Sequence, residues 1–310
     1  MAATTSNDST SNGPVGGERK KNDNKDVPPP LPAPLAVPVA DSHTHLDMQG
    51  GTVEDALAKA ASVGVTTVIQ VGCDLAGSRW AAETAAAHEP VWATVALHPN
   101  EAPRIVLGDP DGWSRQGTRE PGGMAALDTA LEEIDRLASL PQVRGVGETG
   151  LDYFRTGPEG MAAQEYSFRR HIDIAKRQGK ALVIHDRDAH DDVLRVLAEE
   201  GAPERVVFHC YSGDADMAKV CAEAGYYMSF AGNVTFKNAQ HLRDALAVAP
   251  LDLILVETDA PFLTPAPYRG RPNAPYLIPV TLRAMAEVKD IGEDALATAV
   301  AANTARVFGY

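Results

Sequence analysis

The chain has 310 residues, 44% of them hydrophobic, and 28 Lys and Arg against 42 Asp and Glu give a formal net charge of −14. That length suits one α/β barrel, which takes about 250 residues, and no apolar run approaches the ~20 residues that cross a bilayer. The acidity excludes a broad basic face that grips nucleic acid by counterion release.

The opening residues Met1 to Thr10 lack the hydrophobic stretch of a secretory signal. Cys73, Cys210 and Cys221 form no Cys-x-x-Cys pair. The expectation is a cytoplasmic monomer without disulfides, away from membranes. Cys73 and Cys221 read as small buried hydrophobes.

Residues 1–37 are rich in Ser, Asn, Gly and Pro and end in Pro28-Pro29-Pro30-Leu31-Pro32-Ala33-Pro34. Such a composition cannot bury a core and predicts a disordered tail. Its charges cancel, Asp8, Glu18, Asp23 and Asp26 against Arg19, Lys20, Lys21 and Lys25. From Pro38 onward eight short β-branched runs follow, at 38–43, 65–72, 91–97, 143–147, 181–185, 205–209, 226–230 and 252–257. Alanine-rich stretches of helical period separate them, at 53–63, 78–88, 125–139, 161–178, 189–200, 214–224 and 237–248. Eight strands alternating with helices predict a closed (β/α)₈ TIM-type barrel over 38–310. The Gly-rich segment 104–124 reads as a long loop, either a lid or an insertion.

Five of the nine histidines, His43, His45, His98, His185 and His209, fall at or just after the C-terminal end of a predicted strand. In a barrel that end carries the active site. His88, His171, His190 and His241 sit in helix-like stretches and read as surface or helix-end residues. His43 and His45 are two apart on an extended run, so both rings leave one face and can converge on one ion. Asp41 and Asp47 flank the pair. Glu148 ends the fourth run in Gly147-Glu148-Thr149-Gly150-Leu151-Asp152. Nearby glycines let the backbone come close to whatever that carboxylate holds, and a bridging role between two ions is natural for it. His185 and His209 offer a second nitrogen site beside it. Asp259 follows the eighth run, placed to ligate a metal and to take a proton from water, with Glu257 as support behind the ligands.

These residues resemble the TatD-type deoxyribonucleases, a branch of the amidohydrolase-like metal-dependent hydrolases. The resemblance rests on Asp41-Ser42-His43-Thr44-His45-Leu46-Asp47, Leu97-His98-Pro99, the run from Gly147 to Arg155 and His185-Asp186-Arg187-Asp188-Ala189. It continues through Phe208-His209-Cys210-Tyr211-Ser212-Gly213, Glu257-Thr258-Asp259-Ala260-Pro261, Arg269-Gly270-Arg271-Pro272-Asn273 and Asn303-Thr304-Ala305-Arg306. Ala96-Leu97 before the His-Pro, Tyr211 in place of Phe and the length of 104–124 depart from the family pattern, which bears on substrate preference.

The resemblance implies two divalent ions, Mg, Mn or Zn. One would be held by His43, His45, Glu148 and Asp259, the other by Glu148, His185 and His209. His98, Arg155, Arg187 and Arg269 would face substrate phosphates. It further implies hydrolysis of DNA phosphodiester bonds with ions about 3.5–4 Å apart, Asp259 and Glu148 being the catalytic carboxylates. The acidic chain suits a single strand or a frayed end as partner. The alternatives are a metal-dependent hydrolase of another ester or amide bond, and a non-catalytic barrel that docks a partner through its proline-rich tail.

Overall fold

The computed structural model describes residues 25–109 and 119–310. Eight parallel strands follow one another around a ring. They are β1 (Val39–Thr44), β2 (Val65–Val71), β3 (Val91–Val95), β4 (Val143–Asp152), β5 (Ala181–Arg187), β6 (Val206–Phe208), β7 (Tyr227–Phe230) and β8 (Ile254–Val256). Ten helices surround them: α1 (Val53–Ser62), α2 (Leu75–Ala87), α3 (Glu101–Leu107), α4 (Gly123–Ala138), α5 (Pro158–Gln178), α6 (His190–Glu200), α7 (Ala215–Glu223), α8 (Gln240–Val248), α9 (Ile278–Lys289) and α10 (Glu293–Phe308). The predicted barrel is therefore present. Among the described residues no helix is long and apolar enough to cross a membrane.

Local chemistry sets these elements. Thr52, Asp74 and Asp214 cap α1, α2 and α7 by accepting backbone N–H groups at 3.1, 2.7 and 3.0 Å. Leu127, Leu131, Ile134 and Ala138 recur at three- and four-residue steps along α4 and bury its inner face. The strands alternate. On β5, Leu182 and Ile184 pack outward under the helices, while Ala181 and Val183 join Ile69, Val207 and Leu255 in a second cluster. Those residues come from β2, β5, β6 and β8, from different sides of the ring, so they meet inside the barrel. Val307 and Phe308 at the end of α10 belong to that inner cluster.

The ring closes between the ends of β1 and β8. The Asp259 amide donates to His43 O and the His45 amide to Ala260 O, each at 2.9 Å. Asp41 accepts from the Thr258 amide and hydroxyl beside them, so it fastens the seam rather than flanking a metal.

Two expectations need correction, and the C-terminal region adds elements that were not foreseen. Segment 104–124 is not one loop: α3 and α4 enter it from both sides, and Asp109 and Arg119 exchange backbone hydrogen bonds at 2.8 and 3.2 Å. Residues 110–118 lie outside the described residues. The C-terminal region carries α9 and α10, which the strand count did not require. The proline-rich segment is strapped to the barrel. Arg271 donates to Val27 O and Pro28 O, Tyr276 to Pro29 O and Arg283 to Ala33 O. Leu35 is buried in the core. The rest of the expected tail, 1–24, lies outside the described residues.

His171, read as a surface or helix-end residue, is buried in α5. Its Nδ1 donates to Ser167 O at 2.7 Å, and its Nε2 accepts the Leu97 amide at 3.1 Å. The neutral ring thus pins the backbone just before His98. Burial pulls its pKa down from 6.5 to about 4.

Two outcomes follow. Deleting residues 1–36 is expected to cost at least about 2 kcal/mol relative to deleting 1–24, since burial of Leu35 alone contributes that much; equal melting temperatures for the two truncations would disprove the strap. For His171, the unfolded chain accepts a proton below pH 6.5 that the folded state refuses until about pH 4. Its contribution is present above that window and is lost as pH falls through it, by up to about 3 kcal/mol. Urea denaturation at pH 7 and pH 4.5 is expected to show a larger acid loss for the wild type than for His171→Gln, and identical slopes would refute this.

Candidate metal centre

The alternation that fills the barrel floor also aims the ligands. His185 lies two residues beyond Val183, and His209 two beyond Val207. Glu257 and Asp259 lie two and four beyond Leu255. Side chains of that parity point inward above the packed floor. His43 and His45 converge as expected, their Nε2 atoms 3.3 Å apart. Asp259 Oδ1 lies 3.5 Å from His45 Nε2 and 3.8 Å from His43 Nε2. Glu148 stands at the centre. Its Oε2 is 2.6 Å from His209 Nε2, 3.6 Å from His43 Nε2 and 3.7 Å from His185 Nδ1, while Oε1 is 3.6 Å from His98 Nε2.

β4 comes close enough to β5 for this only because two of its residues lack side chains. A Cβ on Gly147 would lie 2.4 Å from Val183 Cβ, and one on Gly150 2.2 Å from His185 O. The glycines serve the neighbouring strand, not the group that the carboxylate holds.

The outer partners decide which ring nitrogen faces inward. His45 Nδ1 donates to Val71 O at 3.2 Å, His209 Nδ1 to Glu257 at 3.3 Å, and His185 Nε2 to Asp152 at 3.2 Å. Those acceptors carry no hydrogen, so the opposite nitrogen of each ring turns a lone pair into the centre. His98 is the reverse. Its Nδ1 accepts the Asn100 amide at 3.0 Å, which leaves the hydrogen on Nε2 and makes that atom a donor rather than a ligand.

Lone pairs this close repel unless a cation sits among them. Burial pulls His45, His185 and His209 toward the neutral form, yet Asp259, Asp152 and Glu148 outweigh it and raise all three. Burial pushes Glu148 up, but the charge of His209 holds it well below the usual carboxylate range. Burial, reinforced by His185, pulls His98 down to about 3. Without an ion, protons therefore occupy the positions of positive charge, and a divalent cation would replace them. Oε2 of Glu148 lies off any hydrogen-bond line, and His43 Nδ1 is also unpartnered. The donor triad His43, His45 and Asp259 lies within the span of one ion. The residues fit metal.

The centre opens into a cleft of about 720 Å³. Arg155 and Arg187 line it, with Arg104, a residue of α3 in the segment expected to be a loop. Arg269 does not reach it. Its guanidinium lies 4.3 Å from the Phe236 ring centroid, outside the cleft lining.

Asp152 has no role in the sequence analysis, and Cys73 departs from the one expected of it. Asp152 accepts from His185, from Asn100 at 2.9 Å and from the Arg155 amide at 2.9 Å. Its position four residues beyond Glu148 on an extended run was the available signal. Cys73 is no inert core thiol: it donates to Glu148 Oε1 at 3.2 Å. It lies two residues beyond Val71 and four beyond Ile69, on the inward parity.

A family model described as TatD related DNase matches residues 40–309. A Mycobacterium tuberculosis protein named uncharacterized metal-dependent hydrolase TatD is 42% identical over 279 residues, covering 87% of this chain and 98% of its own. The Escherichia coli K12 uncharacterized metal-dependent hydrolase YcfH is 35% identical over 276 residues, 87% of this chain and 95% of its own. The crystal structure of YjjV, a TatD homolog from Escherichia coli K12, superposes with a TM-score of 0.76 at 26% identity, covering 88% of this chain and 98% of that one. By sequence, fold and converging ligands, this chain belongs to the TatD family of metal-dependent hydrolases.

Proposed function

We propose that the protein is a divalent-metal deoxyribonuclease that hydrolyses DNA phosphodiester bonds at a two-ion centre. The observation that carries this reading is Glu148, a buried carboxylate within 3.7 Å of His43, His185 and His209 together. One ion is assigned to His43, His45, Glu148 and Asp259, the other to Glu148, His185 and His209. When bound, the ions, Mg, Mn or Zn, supply Lewis acidity at the phosphate oxygens and lower the pKa of water.

The remaining work falls to side chains. Asp259 has the more open carboxylate, its side chain 13% exposed against 6% for Glu148, and it takes the proton of the attacking water. His98 stays neutral and donates from Nε2 to a phosphate oxygen. Arg155 and Arg187, with Arg104, position the phosphates on the cleft wall. Cations confined to that wall of an acidic protein suit a single strand or frayed end better than wrapped duplex. All three cysteines are unpaired thiols, in keeping with the reducing cytoplasm.

Metal-free protein, reconstituted with magnesium, manganese or zinc, is expected to cleave end-labelled DNA, faster when single-stranded. Undiminished cleavage in chelator, or no cleavage with any of the three ions, would sink the reading. Separate variants divide the roles. Glu148→Gln is expected to weaken both ions and abolish cleavage, and Asp152→Asn to cost about 10- to 100-fold in metal affinity or activity. His98→Ala is expected to lower turnover by roughly 10² or more with metal content intact. Elemental analysis alongside single-turnover cleavage checks all three. Two ions and normal cleavage in Glu148→Gln would remove the bridge, and metal loss in His98→Ala would make that residue a ligand.

A further inference from the structure

Two aromatic rings stand in solvent at the rim of the centre. Phe154 is 61% and Phe262 52% exposed, although burying such a ring is worth about 1.5–3 kcal/mol. Each is coupled to a group of the site. The Arg187 guanidinium lies over the Phe154 ring, 3.8 Å from its centroid. Phe262 meets His45 edge to face at 6.2 Å and 72°.

Their places in the ring matter more. Phe154 and Arg187 come from the ends of β4 and β5, and Phe262 from the segment after β8 that pairs with β1. In an eight-stranded ring these positions are diametrically opposed, with the converging ligands between them. Arg187 lines the main cleft, and Phe154 lines a neighbouring groove of about 620 Å³. The stack therefore stands on the lip between the two. Cleft and groove share Asn100, Arg104 and Arg155, Arg104 being ion-paired with Glu101 and Asp109.

Resting on the nuclease reading for where the phosphate sits, we propose that Phe154, backed by Arg187, and Phe262 are stacking platforms for the two nucleobases flanking the scissile phosphate. The substrate is then a single strand whose bases are unpaired on both sides of the cut. A phosphodiester held between the platforms carries one nucleoside in each direction, and each ring has a face free to receive a base. Bases inside a duplex have no free face to offer, whereas splayed bases stack on any aromatic surface with little sequence preference. Arg155, which lines both cleft and groove, stands on the side where the backbone leaves past Phe154.

The test uses metal-loaded full-length protein and two fluorescein-labelled, uncleavable phosphorothioate oligomers of equal length, one oligo-dT and the other abasic. Anisotropy gives affinity without turnover. Phe154→Ala and Phe262→Ala are each expected to weaken oligo-dT binding by roughly 5- to 100-fold while abasic binding and metal content hold. Phe154→Trp is expected to restore the dT affinity. Equal wild-type affinity for the two oligomers, or equal losses on both in the alanine variants, overturns the platforms. Cleavage of unmodified DNA is followed in parallel. Base-dependent losses without any cleavage leave the platforms standing and the nuclease reading fallen; cleavage with base-independent binding does the opposite.

Discussion

The centre depends on one carboxylate surrounded by imidazoles. A buried Glu148 is tolerable only because His43, His98, His185 and His209 crowd it, and those rings are tolerable together only because the carboxylate compensates whatever positive charge they or an ion carry. Neither half is stable alone. This mutual requirement explains why donors from many strands, which would otherwise repel, are held within ligand distance of one another.

Holding them requires a closed barrel and a second layer of partners. Closure brings the end of β1 beside the segment after β8, where two backbone hydrogen bonds and Asp41 place Asp259 against the histidine pair. Val71, Asp152 and Glu257 then fix three imidazoles by their outer nitrogens. Asn100 fixes His98 in the opposite sense. One amide donor thus gives His98 an inward N–H where the neighbouring histidines present a lone pair.

The chain is acidic as a whole, yet its charge is distributed locally. Arg104, Arg155 and Arg187 line one cleft, while the surplus carboxylates that matter to chemistry are neutralised by imidazoles or an ion. Support also comes from behind. His171 pins the backbone at Leu97, and the proline-rich strap joins Arg271, whose carbonyl accepts from Thr264 beside the Asp259 segment.

Periodicity and strand-end position were enough to read the barrel, the five histidines, Glu148 and Asp259, because alternation along a strand is local and inward parity follows from it. The roles of Asp152, Cys73, Arg104 and His171 were not legible in the same way: each depends on a partner far along the chain, and only packing states which strand or helix lies opposite. Arg269 and Arg187 make the same point. Both are arginines in matching motifs, yet one stacks on Phe236 away from the cleft and the other on Phe154 at its lip. The proline-rich segment read as a tail because it has no periodicity; its backbone carbonyls are satisfied by side chains of Arg271, Tyr276 and Arg283, more than 240 residues away in every case. Sequence determined which residues face the barrel mouth. Tertiary structure decided which nitrogen each imidazole presents, because that choice belongs to the hydrogen-bond partner and not to the histidine.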